Sequence, residues 1–231
     1  IRWNHPKLGL VSPGEFIPLA EETGFINEMS DWVIQHVCEQ LKEWKGKGFQ
    51  LVPISINLSA KTLMKADLVQ KIKESLAACS ISPSLMEIEI TENSLIKNEG
   101  SALPTIQLLR DFGIAIAIDD FGTGYSSIGY LKKFKVDYIK IDRSFIKDIH
   151  ENNEDSTIVQ SIILLAKGFN VKIVAEGVET EQQLELLKLL KCHTIQGYLF
   201  SKPLPADRFK HFLPKNALFC RREKLLAGIL K

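Results

Sequence analysis

The sequence predicts an α/β fold of the (β/α)8 barrel type, and three observations carry that expectation. Short β-branched runs alternate with stretches of helical periodicity along the chain. Strand after strand ends in a polar or acidic residue. No glycine fingerprint follows an early strand, as a doubly wound dinucleotide fold, the competing architecture, would require.

The elements follow in order. Ile1-Arg2-Trp3 reads as the end of a strand, followed by a turn at Asn4-His5-Pro6. The abrupt start suggests a piece of a longer protein whose preceding barrel strand is missing from this chain. Phe25–Trp44 carries Trp32, Val33, Val37, Leu41 and Trp44 at helical spacing. Leu68–Leu76, Ala102–Leu109, Ser156–Ala166 and Glu181–Leu190 repeat that pattern, and Gly48, Gly113 and Gly168 sit where helices should stop. Strands are expected at Val52–Asn57, Leu85–Ile90, Ile114–Ile118, Val136–Ile141, Val171–Ala175 and Thr194–Phe200. Six strands and the opening stub make seven, and one upstream strand would close a barrel of eight. Residues 1–213 are expected to form the barrel and 214–231 a basic helical tail.

Composition narrows the function. The 231 residues are 45% hydrophobic and 25% charged, ordinary for a globular protein. Lys and Arg number 29 against 28 Asp and Glu, leaving +1, so no strong field favours a nucleic-acid polymer or a membrane surface. No apolar run approaches the ~20 residues of a membrane span. Cys38, Cys79, Cys192 and Cys220 are far apart and read as reduced, packed thiols, which suits a cytoplasmic location. A zinc site would need closer spacing.

The strand ends hold the chemistry. Asn57 ends the first full strand, Glu89 and Glu92 the second, Asp119 and Asp120 the third, Lys140 and Asp142 the fourth and Glu176 the fifth, while Gln196 lies within the sixth. In a parallel barrel these ends open on one face. Carboxylates crowded there repel unless protons or cations intervene. Oxygen donors without His or Cys point to Mg2+ or Mn2+. Adjacent aspartates suit two cations that clamp a phosphoryl centre. Lys140 interrupts an apolar strand, which is costly unless its ammonium is paired; it reads as facing the acidic mouth, where it would hold a water or a phosphate oxygen. The five histidines show no ligand spacing, and Trp3, Trp32 and Trp44 read as core.

These motifs closely resemble the EAL-domain phosphodiesterases that hydrolyse cyclic di-GMP. The matching stretches are Ile54–Ser59, Glu89-Ile90-Thr91-Glu92, Asp119–Ser127, Asp137–Asp142, Ala175–Glu179 and Gln196-Gly197-Tyr198, with Pro13–Glu21 resembling the family's first helix. The resemblance implies a barrel modified by one antiparallel strand and a homodimer holding two Mg2+ or Mn2+ ions. It implies Asn57, Glu89, Asp119, Asp120 and Glu176 as metal ligands, with Glu176 also able to activate water. It further implies Lys140 as the water-positioning lysine, Gln196 as a supporting polar group, Arg2 as a phosphate contact, and Glu92 and Glu179 as supports of the loop after Asp120. The implied reaction opens cyclic di-GMP to linear pGpG. The motif glutamate expected four residues before Arg2 lies outside this sequence. A receptor that binds cyclic di-GMP without cleaving it is the alternative, and a metal-assisted barrel enzyme acting through an enolate is a third reading.

Overall fold

The computed structural model describes residues 1–124, 128–192 and 194–213. Residues Tyr125–Ser127 of the glycine-rich loop, His193, Cys220 and the tail at 214–231 lie outside the described residues.

A hairpin opens the chain, with β1 (Trp3–His5) antiparallel to β2 (Gly9–Val11). The expected turn at Asn4-His5-Pro6 is displaced by two residues. His5 Nδ1 accepts the N–H groups of Lys7 and Leu8, each at 3.1 Å, and Gly9 adopts φ +72°, so the chain reverses at 6–8. The opening stub joins this hairpin and not the parallel sheet.

Helix α1 (Pro13–Thr23) starts on Ser12, whose hydroxyl accepts the Gly14 N–H, and stops at Gly24 with φ +81°. Helix α2 (Ile26–Gly46) buries Ile34, Cys38, Leu41 and Trp44. Trp32 departs from the expected core assignment. It lies on the far side of that stripe, 55% exposed, with its ring stacked on His36 at 4.8 Å. Trp3 is also partly exposed, and Trp44 alone of the three is core.

Six strands then alternate with helices. These are β3 (Ile54–Asn57), α3 (Ala60–Leu63), α4 (Leu68–Cys79), β4 (Met86–Thr91), α5 (Glu92–Lys97), α6 (Glu99–Asp111) and β5 (Ala115–Phe121). Next come α7 (Ile128–Phe134), β6 (Tyr138–Ile141), α8 (Arg143–Lys147), α9 (Asn153–Gly168), β7 (Lys172–Ala175), α10 (Glu181–Leu189), β8 (Thr194–Ile195) and α11 (Ala206–Phe209). Each of β3 to β8 pairs parallel with the next in chain order. The sheet curls into a partial barrel with the helices outside.

The two-residue period of a strand sorts the side chains. Ile56, Ile88, Ile90, Ile116, Ile118, Ile139 and Ile141 point outward under the helices and are at most 2% exposed. Alternate positions point inward, and there β4 offers Glu87, Glu89 and Thr91. Both faces of a parallel sheet are covered, so an inward charge must find a partner inside.

Most strand bounds shift by one to three residues, and β5 runs on to Phe121 instead of ending at Ile118. Gly168 is still helical, and Asn170, at φ +56°, takes the left-handed position after α9. The last strand spans Thr194–Ile195 only, not Thr194–Phe200, so Gln196 lies just beyond it. Gly197 ends the pairing by turning against the neighbouring backbone. A Cβ there would meet the Val178 oxygen at 2.0 Å and the Val178 nitrogen at 2.3 Å. Replacing Gly197 with Ala must therefore push backbone apart, and a loss of about 1–3 kcal/mol is expected in urea unfolding. A midpoint equal to that of the wild type would contradict this packing.

Candidate active site

Lys140 stands at the centre of the polar interior. Its Nζ lies 2.6 Å from Glu89 Oε1, 2.5 Å from Glu176 Oε1 and 3.3 Å from Asp119 Oδ1. Lysine and carboxylates alike are buried, with Lys140 2% exposed. Burial alone would lower the lysine pKa, but the charges of Glu89, Glu176 and Asp119 outweigh it and hold the ammonium above the ordinary lysine value. Asn57 joins from the adjacent strand, its Nδ2 donating to Glu89 Oε2 at 2.9 Å.

Asp119 and Asp120 would point to opposite faces of a regular strand. A β-bulge prevents this. Ile118 pairs with Ile139 and Phe121 with Ile141, so both aspartates stand opposite the single position of Lys140. Asp120 takes φ +53°, a left-handed conformation that aspartate tolerates better than most residues. One ligand oxygen each from Asp119, Asp120 and Glu176 consequently lie within 4.8 Å of one another. One ammonium cannot neutralise four carboxylates gathered around it. The Lys140 head already sits among them as a cation would, and the donors are hard oxygens without His or Cys. The site therefore fits Mg2+ or Mn2+ in chemistry and in charge.

The loop after β5 rests on Glu92. That buried carboxylate accepts the Gly122 N–H at 2.9 Å, and a Cβ on Gly124 would meet Glu92 Cδ at 3.3 Å. Glu179 is exposed, and its backbone N–H donates to Gln183 Oε1. Gln196 sits beside Glu176 through its backbone, its N–H donating to the Ala175 oxygen at 2.8 Å. Arg2 is exposed and donates to the Ile1 oxygen. It shares with Asn57, Thr91, Ser94, Ile17 and Trp32 the wall of a cavity of about 750 Å3. The structure thus gathers Glu89, Asp119, Asp120, Lys140 and Glu176, sets Asn57 beside them, and puts Arg2 on a wall that Asn57 shares.

Glu87 escaped the reading of strand ends. It lies two residues before Glu89, so the strand period alone places it on the same inner face. Its Oε1 accepts the Ser55 hydroxyl at 2.8 Å. Burial, with help from the Glu89 charge, pushes the Glu87 carboxyl from 4.5 up to about 6, against the Ser55 bond and Lys140. Gln183 was also missed, although the Thr180-x-x-Gln183 spacing announces a capping box, which the structure forms.

The profile of the EAL domain matches residues 1–203. The cyclic di-GMP phosphodiesterase NbdA of Pseudomonas aeruginosa is 41% identical over 213 residues, which cover 92% of this chain and 27% of that protein. The chain thus spans under a third of that relative's length. Among solved structures, the P. aeruginosa MucR phosphodiesterase in complex with c-di-GMP superposes with a TM-score of 0.85 at 42% identity, covering 90% of this chain and 84% of that one. Klebsiella pneumoniae BlrP1, solved with calcium and c-di-GMP, gives a TM-score of 0.66 at 31% identity over 76% of this chain and 43% of that one.

Two outcomes follow from these electrostatics. Lys140→Met leaves the buried carboxylates without their ammonium and should lower stability by about 3–5 kcal/mol in metal-free buffer. Added Mn2+ should return part of that loss in thermal melts, because a bound cation stabilises the folded state by mass action. The Glu87 pKa is raised, so its contribution is fully present below pH 4.5 and disappears as pH climbs through about 6. Glu87→Gln cannot titrate, so its urea stability should lack a decline of about 1–2 kcal/mol that the wild type shows across that window. Parallel pH profiles for the two proteins would refute the assignment.

Proposed function

This chain belongs to the EAL-domain family, and from that premise we propose that it is a metal-dependent phosphodiesterase that hydrolyses cyclic di-GMP to linear pGpG. The observation that carries the reading is Lys140 held among Glu89, Asp119 and Glu176 beside the bulged Asp120. Two Mg2+ or Mn2+ ions would be held by Asn57, Glu89, Asp119, Asp120 and Glu176, and would supply positive charge that polarises the phosphoryl oxygens and acidifies water.

The chain's own groups account for the rest. Lys140 Nζ and Glu176 Oε1 face each other at 2.5 Å. A water lodged beside this pair meets an ammonium that orients its oxygen and a carboxylate that takes its proton. The water oxygen bonds to phosphorus, the P–O3′ bond breaks, and the departing oxygen leaves as a hydroxyl once it acquires a proton. Asp120, on the β5 bulge with an oxygen within 4.8 Å of one from Glu176, would be the second carboxylate able to pass a proton to the departing oxygen. Arg2 would contact a ligand phosphate and Gln196 would support the site from beside Glu176. Glu92 and Glu179 would steady the loop after Asp120. Support for the substrate comes from the relatives named above, one a cyclic di-GMP phosphodiesterase and two solved in complex with c-di-GMP. Assembly as a homodimer rests on the family resemblance alone. Three buried free cysteines, Cys38, Cys79 and Cys192, support a cytoplasmic setting, and no described helix is long and apolar enough to cross a membrane.

The test is turnover of cyclic di-GMP with Mg2+ or Mn2+, followed by separation of the linear product. Asp119→Ala should slow the reaction by about 10²-fold or more, because a lost ligand removes several kcal/mol of transition-state charge stabilisation. Equal rates would sink the assignment, and tight binding without product from the wild type would favour the receptor reading.

A further inference from the structure

We propose that Gln183 is a positioning residue that holds Glu176 in register with Lys140. The proposal rests on the reading of Glu176 as a carboxylate of the catalytic site. Gln183 is only 4% exposed, and its amide makes three bonds to backbone. Oε1 accepts the N–H groups of Glu179 at 2.7 Å and Thr180 at 3.0 Å. Nε2 donates to the Lys147 oxygen at 2.8 Å. Lys147 is the last residue of α8, which follows the strand of Lys140, and Glu179 lies three residues after Glu176. One amide therefore ties the segment after β6 to the segment after β7.

The amide orientation is fixed by chemistry. Turned over, its NH2 would face two N–H donors and its oxygen would face a carbonyl. Capping α10 does not explain the choice of glutamine. A glutamate at this position also completes a capping box, and its charge suits a helix N-terminus. A carboxylate, however, would confront the Lys147 carbonyl with negative charge and no donor. The glutamine answers to the bridge between segments.

The segment it grips is closely fitted on both sides. A Cβ on Gly177 would meet Arg143 Cβ at 2.5 Å, on the side of β6. On the side of β8, the Val178 N–H donates to the Gln196 oxygen at 3.1 Å, and the Val178 oxygen accepts the Leu199 N–H at 3.0 Å. Glu176 stands at the head of this segment, so slackening the tie shifts the carboxylate that lies 2.5 Å from Lys140. Partners that orient a metal-site residue typically change affinity or activity by about 10–100-fold when removed.

The experiment compares three variants with the wild type. Gln183→Leu keeps much of the volume and removes every polar bond of the amide. It should lower kcat for cyclic di-GMP by about 10–100-fold, weaken Mn2+ binding measured by electron paramagnetic resonance, and show Glu176 displaced from Lys140 in a crystal structure. Thr180→Ala removes the hydroxyl cap of α10 and spares the bridge; it should lower the melting temperature while kcat stays within about twofold of wild type. Gln183→Glu, once protonated, can accept both N–H groups and donate to Lys147. Its activity relative to wild type should recover as pH falls, while that of Gln183→Leu stays depressed.

Wild-type kcat and Mn2+ affinity in Gln183→Leu would overturn the proposal. So would a Gln183→Glu deficit that ignores pH, or a Thr180→Ala deficit as deep as that of Gln183→Leu. If Gln183→Leu does not fold, the pH profile of Gln183→Glu decides. A wild type that neither cleaves cyclic di-GMP nor binds Mn2+ would sink the functional reading instead, and the Lys140–Glu176 geometry in the Gln183→Leu crystal structure would still decide the tie.

Discussion

The rest of the structure depends on a mutual constraint between one ammonium and the carboxylates around it. Lys140 could not be buried as a charge without Glu89, Asp119 and Glu176. Those carboxylates, in turn, could not crowd together without a cation among them. A sheet interior packed with leucine and valine would be as stable or more so, since buried ion pairs seldom beat a well-fitted apolar core. The arrangement is thus hard to explain by folding stability and easy to explain by chemistry. Its excess of acidic groups over the one lysine suits the resting fold to hold a further cation.

The bulge in β5 is what lets a strand serve that constraint. A regular strand can aim only every second residue inward, so neighbouring acids cannot share a site. Setting Asp119 and Asp120 together against Lys140 breaks the period once, and the ladder resumes at Phe121 and Ile141. The local conformational cost falls on Asp120, whose left-handed backbone is strained for most side chains. Gly122 follows at φ +100°, and a Cβ there would meet Phe145 at 2.9 Å. The loop thus leaves the strand along a path that only these residue types allow.

Much of this was legible in the residues themselves. Alternation of strand and helix, the parallel order and the acidic strand ends follow from periods of two and 3.6, and each lies where the pattern put it. The errors have physical causes. The hairpin turn moved because a histidine ring accepted two backbone N–H groups, a local bond that no periodicity encodes. The last strand shortened because Gly197 meets the Val178 backbone, a contact between segments about twenty residues apart. Trp32 read as core because it is apolar, yet helical phase puts it opposite Ile34 and Cys38. Glu87 was passed over because it does not end a strand, although the period that found Glu89 applies to it equally. Placing two adjacent aspartates on one side of a strand requires the bulge, which shows only in the pairing register.

The two ends of the sheet hold their shape by different means. At the end away from the mouth, side chains reach backbone and one another. Asp137 accepts the Ile116 N–H at 2.9 Å, Lys172 lies over the Tyr138 ring, and Ser55 donates to Glu87. At the mouth, glycines let segments press together, Gly177 against the Arg143 side chain and Gly197 against the Val178 backbone, with Glu92 beneath Gly122. Close contacts of this kind allow little displacement, and the Gln183 amide adds a tie between the segments after β6 and β7. The segments that carry Glu176 and Asp120 are therefore set at their working separation when the chain folds. A site that must present several like charges to small cations gains from this, because the repulsion among its ligands is met by packing before any ion arrives.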